Sequence, residues 1–264
     1  MLRIEHLSKT FNPGTVNEKK ALAGLDLHLK EGDFLTVIGG NGAGKSTLLN
    51  AVAGTFPVDA GRILIGSRDV TNLPEYKRAA FIGRVFQDPM MGTAPTMQID
   101  ENLALAARRG ERRSLKWGIS REEKDAYHEK LKELGLGLEE RMTSKVGLLS
   151  GGQRQALTLL MASLKRPQLL LLDEHTAALD PATAAKVLDL SDRIVAENGL
   201  TCMMITHNMR DAINHGNRLI MMNEGKIILD IAGEEKKKLT KRELLDRFAA
   251  LAGTQEETDA VLLS

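Results

Sequence analysis

The sequence predicts an α/β fold: a largely parallel sheet with helices on its faces, an antiparallel β region ahead of it and a helical insertion within it. Three observations carry this. Residues 34–38 form an apolar run that enters a glycine-rich loop and then a helical segment. From residue 169 onward strand and helix patterns alternate, which implies parallel strands joined by crossover helices. Between these stretches, from about residue 98 to 165, helical signals dominate.

The elements follow in order. The first 38 residues predict short strands: Leu2, Ile4 and Leu7 fall on one side, and Leu25, Leu27 and Leu29 alternate before a turn at Glu31-Gly32-Asp33. Such alternation marks half-exposed antiparallel strands. Residues 46–53 predict a helix that stops near Gly54 and Pro57, and residues 61–70 a strand and turn. Ser120 and Glu123 form a capping box at the head of a charged helix ending near Gly135. The run "LLLLDE" is a buried strand ending in two acids, Asp173 and Glu174. A helix opens at Asp180-Pro181, and strands follow at "LTCMMITH" and "RLIMMNEGKIILD". Near the C-terminus Thr240 and Glu243 form a second capping box, flanked by Leu239 and Leu244 at the positions of a hydrophobic staple. The division expected is one domain over residues 1–240, with its helical part at about 90–165, and a C-terminal helix and loose tail over 241–264.

Composition narrows the function. Of 264 residues, 42% are apolar, and 36 Lys+Arg nearly balance 35 Asp+Glu. A net charge of +1 gives no electrostatic ground for nucleic acid. The single cysteine, Cys202, rules out a disulfide within the chain and fits a cytosolic compartment. No apolar run approaches the length of a membrane span, and the N-terminus lacks the apolar core of a signal peptide. The expectation is a chain soluble on its own, whose membrane role, if any, comes through a partner.

The chemistry starts at "IGGNGAGKST". Gly39, Gly44, Lys45 and Ser46 have the spacing of a phosphate-binding loop. Glycines let backbone approach a ligand closely, and successive N–H groups form an anion-binding nest. The helix that follows directs its positive dipole end at the same place. Lys45 adds a point charge for the terminal phosphates, and Ser46 a hydroxyl for Mg²⁺. Ligands of such sheets bind beyond the carboxyl ends of the strands, which brings Asp173 within reach of that metal. Glu174, one residue on, is placed to orient and deprotonate a water.

Further stretches occur in a fixed order: Gln87 in "VFQD", "LSGGQ" from Leu149, Asp173-Glu174, "ALD" ending at Asp180, and His207 in "MMITH". This set strongly resembles the ATP-binding cassette (ABC) ATPases, over nearly the whole chain from about Leu2 to Asp230. The resemblance implies a RecA-like P-loop core, with ATP and Mg²⁺ as ligands. It makes residues Gly39, Gly40, Asn41, Gly42, Ala43, Gly44, Lys45, Ser46 and Thr47 the phosphate loop, and Phe11 the aromatic that stacks on adenine. Packing alone is an equal account of Phe11. Ser46, Gln87 and Asp173 become metal ligands, and Glu174, His207, Gln87 and Lys45 the catalytic set, with His207 on the γ-phosphate. Ser150, Gly151 and Gly152 would close over the ATP of a second copy in a head-to-tail homodimer, with Asp180 coupling the two sites.

The family resemblance also implies partners: integral membrane permease subunits, an extracytoplasmic substrate-binding protein, and a place at the cytoplasmic face of the cell membrane. Within the family the chain looks most like the stand-alone ATPase of a bacterial importer of amino-acid type. The alternative is a soluble ABC ATPase of an assembly or repair complex, such as the iron–sulfur type. The repair type needs a long coiled coil between phosphate loop and LSGGQ, which the heptad-free interval here does not supply.

Two features depart from the pattern. His175 stands where the family usually has proline after the glutamate; a tolerated loop change and a titrating neighbour of Glu174 are both open readings. The basic stretch 108–116, followed by Trp117, suits either a solvated surface or contact with the permease or anionic headgroups.

Overall fold

A computed structural model describes residues 1–111 and 118–252. Two sheets form the frame. Strands β1 (Leu2–Phe11), β2 (Lys19–Leu29), β4 (Ala60–Ile65) and β5 (Arg68–Asp69) make an antiparallel sheet in the order β2-β1-β4-β5. Strands β3 (Phe34–Ile38), β6 (Ile82–Val85), β7 (Leu169–Asp173), β8 (Thr201–Ile205), β9 (Arg218–Asn223) and β10 (Lys226–Ala232) make a second sheet in the order β10-β9-β3-β8-β7-β6. All neighbours in it are parallel except the β9–β10 hairpin. The largely parallel sheet and the antiparallel region before it are as expected.

The N-terminal strands are longer than expected, at 10 and 11 residues. Leu2 and Ile4 are two residues apart but Leu7 is three further on, so strict alternation would expose Leu7. A register shift between Ile4 and Leu7, with His6 at φ 48°, absorbs the extra residue. All three leucine and isoleucine side chains are therefore buried.

Helix α1 (Lys45–Ala53) follows the glycine loop, and α2 (Glu75–Arg78) is a single turn. The helical insertion holds α3 (Ile99–Ala107), α4 (Arg121–Lys132) and α5 (Gly151–Ser163). The Ser120/Glu123 capping box opens α4 as expected. Helices α6 (Pro181–Asn198) and α7 (Met209–Asn214) join the last parallel strands, and α8 (Gly233–Lys238) and α9 (Lys241–Ala252) close the described chain. Thr240 and Glu243 make their reciprocal bonds, and Leu239 and Leu244 are both buried beside Phe248, Met209 and Ala212. The C-terminal helix is thus packed onto α7. Residues 254–264 and Arg112, Arg113, Lys116 and Trp117 of the basic stretch lie outside the described residues.

Two apolar layers cover the parallel sheet. On one side α1 packs with both sheets around Leu48, Leu49 and Val52; on the other, α5 and α6 pack around Leu157, Leu159 and Leu188. The four leucines of β7 are fully buried, split between these two layers, which accounts for the unbroken run of leucine. No helix of the described residues is long and apolar enough to cross a membrane.

Candidate functional site

Parallel strands share one carboxyl edge. In register, Ile205 of β8 lies beside Val37 of β3 on one flank and Asp173 of β7 on the other, and Val85 of β6 lies beside Leu172. The segments that leave this edge carry the phosphate loop, His207, Glu174 and Gln87. Four stretches far apart in sequence therefore converge because their strands are parallel and level.

The loop is built for close approach. Gly39 has φ +150°, and a Cβ there would stand 2.2 Å from the Met222 carbonyl oxygen. Gly44 has φ +101°, and a Cβ would stand 2.5 Å from the carbonyl oxygen of Ala21. Both positions require glycine on conformation and on space. Gly44 is also the N-cap of α1, with no side-chain cap bond, so the first N–H groups of α1 remain directed at the loop. Lys45 is 8% exposed, and its Nζ donates to the carbonyls of Gly39 (2.7 Å) and Gly40 (3.0 Å), which holds the ammonium inside the cradle.

One cavity of about 340 Å³ is lined by Phe11, Lys19, Ala21, Asn41, Gly42, Ala43, Gly44, Lys45, Ser46, Thr47 and Glu174. It brings together residues 41–47 of the predicted loop, the predicted aromatic and the predicted base, whereas Gly39, Gly40, Gln87, Asp173 and His207 do not line it. Phe11 also packs edge-on against Phe56, with centroids 5.3 Å apart, so its cavity-lining and packing roles coexist. Lys19 was not foreseen. A Cβ on Gly42 would stand 2.8 Å from its Nζ, which makes it a second cation at the cradle. Only a lysine beside a glycine loop in space, not in sequence, could have revealed it.

Glu174 is half-buried, with its side chain 22% exposed, and its Oε2 lies 3.9 Å from Nδ1 of His207. Asp173 pairs with Arg84 of β6 at 3.5 Å. Burial raises the Asp173 carboxyl above the ordinary value, Arg84 opposes that shift, and the Glu174 charge adds to it. The Arg84 guanidinium also donates to Oδ1 of Asn50 (2.6 Å), one turn beyond Ser46 on α1, and stacks on Phe86 at 4.5 Å. It thereby ties the acidic strand to the helix of the phosphate loop. Its signal was a lone arginine in the short apolar strand "IGRV". Gln87 is exposed just past β6.

The signature stretch opens a helix, α5. Ser150 caps α5: its Oγ accepts from the N–H of Gln153 (3.3 Å), and Gln153 Oε1 accepts from the N–H of Ser150 (3.2 Å). Gly152 lies against α6, where a Cβ would stand 2.2 Å from Cγ2 of Thr183. Ser150 and Gly152 line a different cavity, of about 510 Å³, with Lys186 and Arg193. Within one chain they do not face the phosphate loop's cavity. Asp180 caps α6, accepting from the N–H of Thr183 (3.1 Å), and those hydrogen bonds hold its carboxyl below the ordinary value.

The oxygen donors of Ser46, Gln87 and Asp173 are the hard ligands Mg²⁺ takes. Among the described residues no cluster of three or more His, Cys, Asp or Glu could hold a metal by itself. A few protein oxygens completed by phosphate are how Mg²⁺ is ordinarily bound, so this donor set fits it.

Beside the site, Nδ1 of His215 at the end of α7 lies 2.6 Å from Oδ2 of Asp192 on α6. That hydrogen bond is the chief cause of a raised His215 pKa, helped by the charges of Asp192, Asp211 and Asp189. The folded state therefore favours the imidazolium. The stabilisation is fully present below the ordinary value of 6.5 and is lost as pH rises through the higher folded value. Because the Asp192 side chain is 41% exposed, screening reduces the pair to about 1 kcal/mol. In Asp192→Asn, histidine NMR titration should show the His215 pKa lowered, and the stability deficit against wild type should shrink as pH rises. A His215 titration unchanged by the substitution would refute the pairing.

A phosphate loop, an acidic strand end and a helix-capping LSGGQ on this two-sheet frame define an ATP-binding cassette. The family model described as ABC transporter matches residues 22–177, and the chain belongs to that family. It is 45% identical over 253 residues to the tyrosine transport ATP-binding protein of Clostridioides difficile, covering 94% of this chain and 98% of that protein. It is 30% identical to the aliphatic sulfonates import ATP-binding protein SsuB of Pseudomonas putida, over 94% of this chain and 87% of that one. Among solved structures it matches the dimeric post-hydrolysis ATP-binding cassette MJ0796 bound to ADP and Pi, with a TM-score of 0.74 and 28% identity, over 88% of this chain and 98% of that one. The chain is thus an ATPase of the ABC class, and the soluble assembly alternative is not favoured.

Proposed function

We propose that this chain is the ATP-hydrolysing subunit of an importer for an amino acid of the tyrosine class. The observation that carries the chemistry is the single cavity in which Lys45, the phosphate loop and Glu174 meet. The substrate class rests on likeness, nearly end to end, to a tyrosine transport ATP-binding protein. The chain works as a head-to-tail homodimer on integral permease subunits at the cytoplasmic face of the membrane, fed by an extracytoplasmic substrate-binding protein. Since Ser150 and Gly152 lie outside their own chain's phosphate cavity, the partner copy is the one whose ATP they close over.

In the reaction, the N–H groups of the phosphate loop and Lys45 hold the triphosphate, and Phe11 supports the base. Ser46, Asp173 and Gln87 would hold Mg²⁺, which supplies charge neutralisation on the phosphate oxygens. Glu174 takes a proton from water as the water oxygen bonds to the γ-phosphorus. The bond from that phosphorus to the β–γ bridging oxygen breaks, leaving ADP, phosphate and the proton on Glu174, which is then released to solvent. His207 donates a hydrogen bond to the γ-phosphate.

The test is a pull-down from detergent-solubilised membranes of the native host, with tagged Glu174→Gln protein and ATP, followed by tyrosine uptake in cells lacking the chain. Recovery of a multispanning protein and loss of uptake are expected. Recovery of soluble proteins alone would overturn the transport reading, and unaffected uptake would overturn the substrate class.

A further inference from the structure

His175 has a specific place in the fold. The side chain is 2% exposed, and its Nε2 lies 2.9 Å from Oγ of Ser191 on α6, itself fully buried. The Ser191 hydroxyl donates its one proton to the carbonyl of Val187 at 2.8 Å. It must then accept from His175, so Nε2 carries the ring proton. Burial, followed by the charge of His215, depresses the His175 pKa to about 4, so the ring is a neutral donor at physiological pH. It does not titrate beside Glu174 near neutrality.

The residue it follows needs holding. Glu174 has φ +44°, a left-handed conformation that non-glycine residues adopt only where their surroundings impose it. Its N–H donates to the carbonyl of Ile205 at 3.1 Å, and its carbonyl accepts from the N–H of Ala177 at 3.0 Å. These bonds tie the corner to β8 and to its own turn. The next side chain, His175, reaches across to Ser191 on α6, the helix that Asp180 caps.

We propose that His175 is a positioning residue for hydrolysis: its buried bond to Ser191 pegs the Asp173-Glu174 corner to α6 and fixes where the Glu174 carboxylate stands. A proline after the glutamate would stiffen that backbone by its ring; here a side-chain hydrogen bond over sixteen residues of separation does so. The inference rests on the reading of Glu174 as the base.

The test compares Ser191→Ala, His175→Ala and His175→Gln in the full chain, with Glu174→Gln alongside. Each is read by single-turnover hydrolysis, ATP affinity and ¹⁵N signals of the histidine rings. Ser191→Ala and His175→Ala should lower the hydrolysis rate about 10- to 100-fold, with ATP affinity within about twofold of wild type. His175→Gln, which can place an N–H near Ser191, should recover most of the rate. The Nε2–H signal of His175 should move in Ser191→Ala. Wild-type rates in folded Ser191→Ala, or a loss of affinity instead of rate, would overturn the peg. If Glu174→Gln hydrolyses normally, the assignment of the base fails; if it is silent while Ser191→Ala is normal, only the positioning role fails. Should His175→Ala not fold, Ser191→Ala decides alone, since it removes a single oxygen.

Discussion

Glu174→Gln is expected to bind ATP, dimerise and hydrolyse about 10²- to 10⁴-fold more slowly than wild type. The substitution keeps the volume and hydrogen-bonding reach of the side chain but removes its capacity to take a proton. Glu174 lines the phosphate cavity, and the cations that line it with Glu174, Lys45 and Lys19, are untouched. Binding and chemistry should therefore separate in this variant. Phosphate release measures the second, and a fluorescent ATP analogue the first. Size-exclusion mass with and without ATP reports whether the unhydrolysed nucleotide holds two copies together. Wild-type turnover would remove Glu174 from its role.

The features that sequence made legible are local ones. A cap and its partner are three residues apart, so Ser120 with Glu123, Thr240 with Glu243, and Asp180 before Pro181 could be identified from spacing alone. The loop was legible because conformation and charge act within eight consecutive residues. The strand order was not: β3 lies between β8 and β9, and β6 beyond β7, pairings that depend on crossovers rather than on any one segment. The same holds for side chains. Arg84 reaches Asp173, Lys19 stands over Gly42 and His175 finds Ser191 only once distant segments are packed. Leu7 shows the mechanism in miniature: its buried place depends on an irregularity at His6 that simple alternation cannot express.

Lys45→Ala should fail one step earlier than Glu174→Gln. Its ammonium is the charge nearest the loop backbone, drawn in by the carbonyls of Gly39 and Gly40 and almost wholly screened from solvent. A buried cation facing phosphate is worth more than an exposed one, because the low local dielectric strengthens its attraction and water cannot substitute for it. Truncating one partner of such a pair costs about 2–5 kcal/mol, so ATP affinity should fall by roughly 30- to several-thousand-fold. Lys45→Arg should not restore it, since a planar guanidinium cannot occupy the site of a compact ammonium donating to two adjacent carbonyls. Without bound ATP, no ATP-dependent dimer should form, in contrast to Glu174→Gln. Titration with a fluorescent nucleotide, followed by mass measurement in ATP, separates the two variants directly. Unchanged affinity in Lys45→Ala would mean that the backbone N–H nest, α1 and Lys19 suffice to hold the phosphates, and would leave Lys45 a role only in the transition state.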